Sequence, residues 1–267
     1  NALSALTRDD LCQSFLALGL KKGMPVMLHS SMSGLGYVVN GPFDVIDSIS
    51  DCIGEDGTLV LPTHTGQMTD PADWEKPAIL PDDIKKVRDH MRSFDAQFSL
   101  PRNRGLLPQA FLMYPNIFRS NHPLNSIAAK GLHAEDLASN HPLHASEGKD
   151  SPMGQLYSLN SSILLLGVGL ESCTGLHLAE FLTDAPYLKD NTVRVLVDDC
   201  DGRRFENLER YPTISQHFNK LLPGIREANG LSEITINNCQ AMLINFRTAI
   251  DLAVQCIKAD PDYLITP

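Results

Sequence analysis

The sequence predicts a mixed α/β fold: a largely parallel central sheet with flanking helices and an inserted flap. Three observations carry this. Short apolar runs, Val26-Met27-Leu28, Thr58-Leu59-Val60-Leu61 and Ile163-Leu164-Leu165-Leu166, read as buried strands. The strand–loop–helix–strand order of residues 26–61 is that of a parallel α/β unit. A polar stretch punctuated by proline, residues 63–104, then interrupts the alternation, and a connection that long in a compact domain is usually functional. The 267 residues are read as one domain, 1–267, with the flap at about 63–104.

Each element has a local reason. Leu11, Phe15 and Leu18 recur at helical spacing after Thr7, an N-cap followed by Asp9 and Asp10. The strand at 26–28 runs into His29-Ser30-Ser31 and the glycine-rich Gly34-Leu35-Gly36. Pro42 suits a first helical position, and Phe43, Ile46, Ile49 and Ile53 mark one helix face before Gly54 and Gly57. A helix is predicted inside the flap at 82–91, another at 104–113, and another near 128–138. Thr174 opens a helix that runs through Leu182. Val193 to Val197 alternates as a half-exposed strand, Asp201-Gly202 is a hairpin turn, and 205–209 is the partner strand. Phe246, Ile250, Ala253 and Ile257 mark the last helix.

Composition narrows the function. Apolar residues are 43% and charged residues 20%, a globular composition. No apolar run reaches the ~18 residues of a spanning helix, so no membrane partner is expected. The first residues lack the basic start and apolar stretch of a secretory signal, so a cytoplasmic protein is expected. Lys plus Arg is 22 against 32 for Asp plus Glu, a net charge of −10, which repels phosphate backbones and argues against nucleic acid. The same charge either steers a polycationic small molecule inward or only keeps the protein soluble; composition leaves both open. The six cysteines form no C-x-x-C and are expected to be reduced, mostly in the core. There is no G-x-S-x-G, P-loop or complete G-x-G-x-x-G. His133, His141 and His144 lack companion ligands and are expected to be solvated, so no metal is expected.

Three constellations remain. In Thr174-Gly175-Leu176-His177-Leu178-Ala179-Glu180, residues 174, 177 and 180 share a helix face. A histidine at a helix start feels the positive end of the dipole, which favours the neutral imidazole a general base requires. The alternative is a core histidine with Glu180 as its structural partner. Ser30, Ser31 and the following glycines offer backbone N–H groups to a phosphate, or simply form a tight turn. Arg119-Ser120-Asn121-His122-Pro123-Leu124-Asn125-Ser126 is a dense polar cluster in which Arg119 pairs with either a phosphate or a carboxylate.

Taken in order, these stretches, with Gly57–Thr63, Phe94-Asp95, Ser151-Pro152 and Leu164–Gly169, make the chain resemble the aminoglycoside 3-N-acetyltransferase family over about residues 10–215. The resemblance implies acetyl transfer from acetyl-CoA to an amino group of a deoxystreptamine antibiotic. It places His177 as general base and Glu209 as the carboxylate supporting it, with Glu180 as the fallback, and Thr174 near the thioester. Ser30, Ser31, Leu35, Gly36, Arg119, His122 and Ser126 fall where the family lines its coenzyme site. Asp70, Asp95 and Glu180 are matched to substrate ammonium groups. Gln109 stands where the family commonly has Glu, and a nearby family Asp falls at Tyr211; both bear on the acceptor. The partner expected is a small cationic amine, and a homodimer is left open. The alternatives are an acyltransferase for another amine, a hydrolase using Ser30 or Ser31, and a non-catalytic coenzyme A binder.

Overall fold

The computed structural model describes residues 3–267. Thr7 caps α1 (Arg8–Leu18): its hydroxyl accepts from the Asp10 N–H, the Asp10 carboxylate accepts from the Thr7 N–H, and Gly19 ends the helix. β1 (Pro25–Ser30), α2 (Pro42–Ile53, with Pro42 in its first turn) and β2 (Thr58–Pro62) follow. Segment 63–104 holds short 3-10 turns and one helix, α3 (Ile84–His90). Next come α4 (Leu106–Phe111), the two-residue β3 (Phe118–Arg119), β4 (Ile127–Gly131), α5 (Ala134–Ser139) and α6 (Pro152–Ser158). β5 (Ser162–Leu166) leads through two 3-10 turns into α7 (His177–Leu182). The remainder is the hairpin β6 (Thr192–Asp199) and β7 (Gly202–Glu209), then α8 (Leu222–Glu227), the hairpin β8 (Leu231–Ile236) and β9 (Cys239–Asn245), and α9 (Phe246–Ala259). Among the described residues no helix is long and apolar enough to cross a membrane.

Seven strands make one sheet, in the order β3-β4-β2-β1-β5-β9-β8. β1 pairs parallel with β2 and β5, and the four outer pairings are antiparallel. The mixed α/β class is as read from the sequence, but within this sheet parallel pairing is confined to the three central strands. The links between β3 and β4 and between β8 and β9 are too short for the crossover that parallel pairing needs. Residues 127–131, expected to begin a helix, are strand β4. Ala128 and Ala129 pair with Leu61 and Val60, and pairing outweighs their helical propensity. The β8–β9 hairpin was not foreseen.

Strand alternation builds two cores. On β1, β2 and β5 the residues Met27, Val60, Ile163 and Leu165 face α5–α9; Val26, Leu28, Leu59, Leu61, Leu164 and Leu166 face α1, α2 and α4. The sheet is therefore sandwiched between helices, and the carboxyl ends of three adjacent parallel strands open at one edge. Gly167 lies just past β5 at φ 68°, where a Cβ would sit 2.4 Å from the Ser31 carbonyl oxygen, so only glycine lets the β1 and β5 ends approach this closely.

Polar contacts fix the segments over that edge. Asp70 is buried in the flap, where Arg88 holds it bidentately at 2.9 and 2.7 Å and Arg194 of β6 reaches it at 3.2 Å. Both guanidinium groups lie over Phe205 of β7, so flap and hairpin are clamped together. Arg119 donates to Thr63 Oγ1 and Ser126 Oγ from Nε, to the Ala96 and Ser99 carbonyls from Nη1, and to the Thr63 carbonyl from Nη2, with Phe94 under its plane. The His122 and His141 rings pack with centroids 4.7 Å apart, tilted by 37°. His122 Nδ1 accepts two backbone N–H bonds, from Leu124 and Asn125, and Nε2 donates to the Leu143 carbonyl. His141 Nε2 donates to the Ser146 carbonyl and Nδ1 accepts from Ser120. Both rings are neutral: burial lowers their pKa to about 4 for His122 and about 3 for His141.

Two expectations follow. Arg119→Ala is expected to speed amide exchange in residues 96–99 and to cost about 1–3 kcal/mol of stability; unchanged exchange there would mean the loop is held by other contacts. For His122 and His141, the unfolded chain takes up protons near pH 6.5 while the fold does so only near pH 4 and 3. Between those values the unfolded state holds more protons, so stability rises with pH and is lost as pH falls below about 6.5, by at most about 1.4 kcal/mol per unit per ring. Urea unfolding from pH 7 to 4.5 should show this slope, and His141→Gln should flatten it; an equal slope in the variant would contradict the assignment.

Candidate active site

Two cavities meet at the carboxyl ends of the parallel strands. The larger, about 500 Å³, runs past Ser30 at the end of β1, Ser31 and Ser33 beyond it, Pro62 at the end of β2, the start of α4, and Val168 after β5. The smaller, about 190 Å³, is polar and is lined by His64, Glu147, Glu171, Thr174, His177 and the 212–215 segment. Arg104 and Ser172 line both. A crevice beyond the carboxyl ends of strands, with β1 flanked by β2 on one side and β5 on the other, is where α/β sheets bind ligands.

His177 opens α7 because β5 and the 3-10 turn at Thr174–Leu176 deliver the chain to the cavity wall. Its Nδ1–H donates to Glu180 Oε2 at 2.7 Å, and the other oxygen of Glu180 accepts from the Tyr187 hydroxyl at 2.9 Å. Glu180 is 1% exposed and His177 12%. Phe218 packs edge-on against the imidazole at 5.1 Å. Nδ1 is thereby committed, and Nε2 has no protein partner among the described residues. Burial alone would lower the His177 pKa. The charge and hydrogen bond of Glu180, with the charge of Glu147, outweigh burial and the repulsion of Arg104, and the pKa is raised above 6.5. This corrects the helix-dipole expectation. In a helix of six residues the adjacent carboxylate decides the proton's affinity.

Glu147, which no sequence spacing linked to His177, is the second carboxylate here. It is buried, Asn125 Nδ2 donates to Oε1 at 2.6 Å, and Ser146 Oγ donates to Oε2 at 2.5 Å. Asn125 Oδ1 accepts in turn from the Tyr211 hydroxyl at 2.9 Å. Burial raises the Glu147 pKa above its ordinary value. His64 is buried with Nδ1 accepting from Arg104 Nη2 at 2.7 Å, and its Nε2 has no partner. Burial and Arg104 hold His64 neutral. His29, also buried with Nε2 unpartnered, has its pKa lowered to about 3 by burial. Cys173 lines the smaller cavity, but burial pushes its thiol up to about 12.

The structure brings Thr174, His177 and Glu180 together, with Ser30 and Ser31 in the adjoining cavity. Other expected site residues stand elsewhere. Glu209 is exposed on β7; strand alternation buries Leu208 and turns Glu209 outward, so Glu180 is the carboxylate on His177. Leu35 is buried in the core and its carbonyl accepts from Asn237 of the β8–β9 turn; Gly36 packs beside the same Asn237. Arg119 has spent its donors on the flap, and Ser126 and His122 are sealed into structural bonds. Asp70 is neutralised by two arginines, and exposed Asp95 accepts from the Gln97 and Phe98 N–H groups. His141, expected to be solvated, is half-buried, whereas His144 is exposed beside Glu206. Arg104, His64, Glu147 and Glu171 were missed. Only His64 left a signal, as a polar residue just beyond a central strand.

Comparison with known proteins identifies the family. The sequence model of the aminoglycoside 3-N-acetyltransferase family matches residues 27–258. An aminoglycoside N(3')-acetyltransferase-like protein, YokD of Bacillus subtilis, is 37% identical over 185 residues, 68% of this chain and 67% of YokD. Its crystal structure superposes with a TM-score of 0.86 at 27% identity, covering 95% of this chain and 94% of that one. Aminoglycoside N(3)-acetyltransferase VII of Streptomyces paromomycinus is 36% identical over 219 residues, 76% of this chain and 71% of that protein. A structure described as AAC-IIIb with CoASH has a TM-score of 0.82 at 26% identity, covering 96% of this chain and 97% of that one. The chain belongs to the aminoglycoside 3-N-acetyltransferase family, a family of enzymes.

Proposed function

We propose that the protein transfers the acetyl group of acetyl-CoA to the amino group at position 3 of a deoxystreptamine aminoglycoside, with His177 as general base. The observation that carries this reading is the buried Glu180–His177 pair at 2.7 Å, on the wall of a polar cavity that shares Arg104 and Ser172 with a larger cleft. A pantetheine arm is long, narrow and of mixed polarity. The 500 Å³ cleft suits it, with apolar walls at Leu28, Pro62 and Val168 and the mutually hydrogen-bonded hydroxyls of Ser31 and Ser33. The CoASH in the AAC-IIIb structure and the names of the curated relatives support the same donor and acceptor.

The thioester supplies the activated acetyl group; the protein's own residues do the rest. An ammonium has no lone pair, so the acceptor must lose a proton before its nitrogen can bond to the acetyl carbon, and a second as the amide forms. Glu180 holds Nδ1–H and so presents the Nε2 lone pair of neutral His177 to the departing proton. The same carboxylate stabilises the imidazolium that results, which is the meaning of the raised pKa. Glu147 and Glu171 face the cavity and attract the cationic acceptor, in place of the flap aspartates. The inert thiol of Cys173 favours direct transfer over an acyl-enzyme.

His177→Ala should lower turnover on an aminoglycoside panel by about 10²–10⁴-fold; retained turnover would remove the base. The base works only unprotonated, so kcat/KM should rise with pH through a midpoint above 6.5. Glu180→Gln removes the charge that raises the pKa, so the acidic limb should move to lower pH while the plateau falls. An unmoved limb would show that another group sets it. Transfer to other amines but to no deoxystreptamine compound would replace the proposed acceptor.

A further inference from the structure

Arg104 has a placement that the acid–base chemistry does not use. It is exposed to the cleft and, with Ser172, is one of two residues that line both cavities. The backbone turns sharply on both sides of it. Asn103 and Gly105 on either side are both at positive φ, 58° and 75°, and α4 begins directly after. Its Nη2 donates to His64 Nδ1 at 2.7 Å. No carboxylate bridges it among the described residues, and its Nε and Nη1 have no protein partner. A neutral imidazole therefore orients the guanidinium without cancelling its charge.

The arginines that hold the flap turn their donors to protein oxygens, Arg88 and Arg194 to Asp70 and Arg119 to loop carbonyls and hydroxyls. A cation at the wall shared by a donor cleft and an acceptor cavity would instead repel a polycationic acceptor, unless it faces charge that appears there during the reaction. In acyl transfer that charge has a definite place. As the amine nitrogen bonds to the acetyl carbon, the carbonyl electron pair moves onto oxygen. As that pair returns, the C–S bond breaks and sulfur leaves with its electrons, while the amine proton passes to His177. The oxygen stands where donor and acceptor meet.

Resting on the acetyl-transfer reading above, we infer that Arg104 is a catalytic residue whose free N–H groups stabilise negative charge on the thioester oxygen, and that His64 is the positioning residue that aims it. The donors are preorganised, so their effect falls on the transition state rather than on binding.

The test uses Arg104→Leu and Arg104→Lys in the full-length protein, with acetyl-CoA and an aminoglycoside that the wild type acetylates. Arg104→Leu should lower kcat by roughly 10²-fold. KM for both substrates and the calorimetric Kd for CoASH should stay within about 3-fold, and Arg104→Lys should recover part of the loss. A readout independent of turnover is the NMR titration of His177. The charged groups acting on it are Glu180 from its own helix, Glu147 and Arg104. Removing the cation should raise its midpoint, and a merely structural role would leave it unmoved. Unchanged kcat would overturn the inference. So would a loss confined to acceptor KM, which would make Arg104 an anchor for an anionic acceptor group, or a loss confined to CoASH affinity. Loss of kcat with an unmoved His177 midpoint would also overturn it, by placing Arg104 away from the base. If the wild type acetylates no aminoglycoside, or His177→Ala keeps full turnover, the failure belongs to the proposed function and not to Arg104.

Discussion

A carboxylate sealed from water three residues along a short helix from an imidazole sets the conditions for everything else in this cleft. Glu180 at 1% exposure is costly to keep charged unless a donor faces each oxygen, and His177 and Tyr187 are those donors. The arrangement has two outcomes at once: it fixes the tautomer of the imidazole, and it makes protonation easier than burial would allow. The ends of β1 and β5, brought close by a glycine beside the Ser31 carbonyl, and the turn after β5 place that ring on the wall of the smaller cavity.

Around this pair the molecule separates charge by function. The imidazoles of His64, His122 and His141 are neutral and serve as donors or acceptors in a frame, and His29 is neutral by burial. The His122–His141 pair pins the loop that ends at Glu147, so a structural cluster holds a cavity carboxylate in place. Arg119 and the Asp70–Arg88–Arg194 clamp do the same for the flap. Such clusters carry the residue types of a phosphate site, yet their guanidinium groups are directed at protein oxygens. Arg104 instead has its Nε and Nη1 without protein partners at a wall shared by two cavities.

Much of the fold was legible because periodicity and punctuation are local. The strands at 26–28, 58–61 and 163–166, the Thr7 cap and the α9 stripe all follow from neighbours in the sequence. What failed depended on contacts distant along the chain. Ala128 and Ala129 look helical until β2 is placed beside them. Thr174, His177 and Glu180 were readable because they are three residues apart on one helical turn. Glu209 was misread because a carboxylate's reach depends on which face of β7 it occupies. Glu147 and Arg104 lie 30 and 73 residues from His177. No spacing rule joins them; only the closing of the sheet edge does.

The most direct measurement is the nitrogen NMR titration of the His177 ring in the unliganded wild-type protein. The account predicts a neutral form protonated at Nδ1 and bare at Nε2, with a midpoint above 6.5. A midpoint below that value, or a neutral ring protonated at Nε2, would contradict it, because the base would then lack both its carboxylate support and its lone pair toward the cavity.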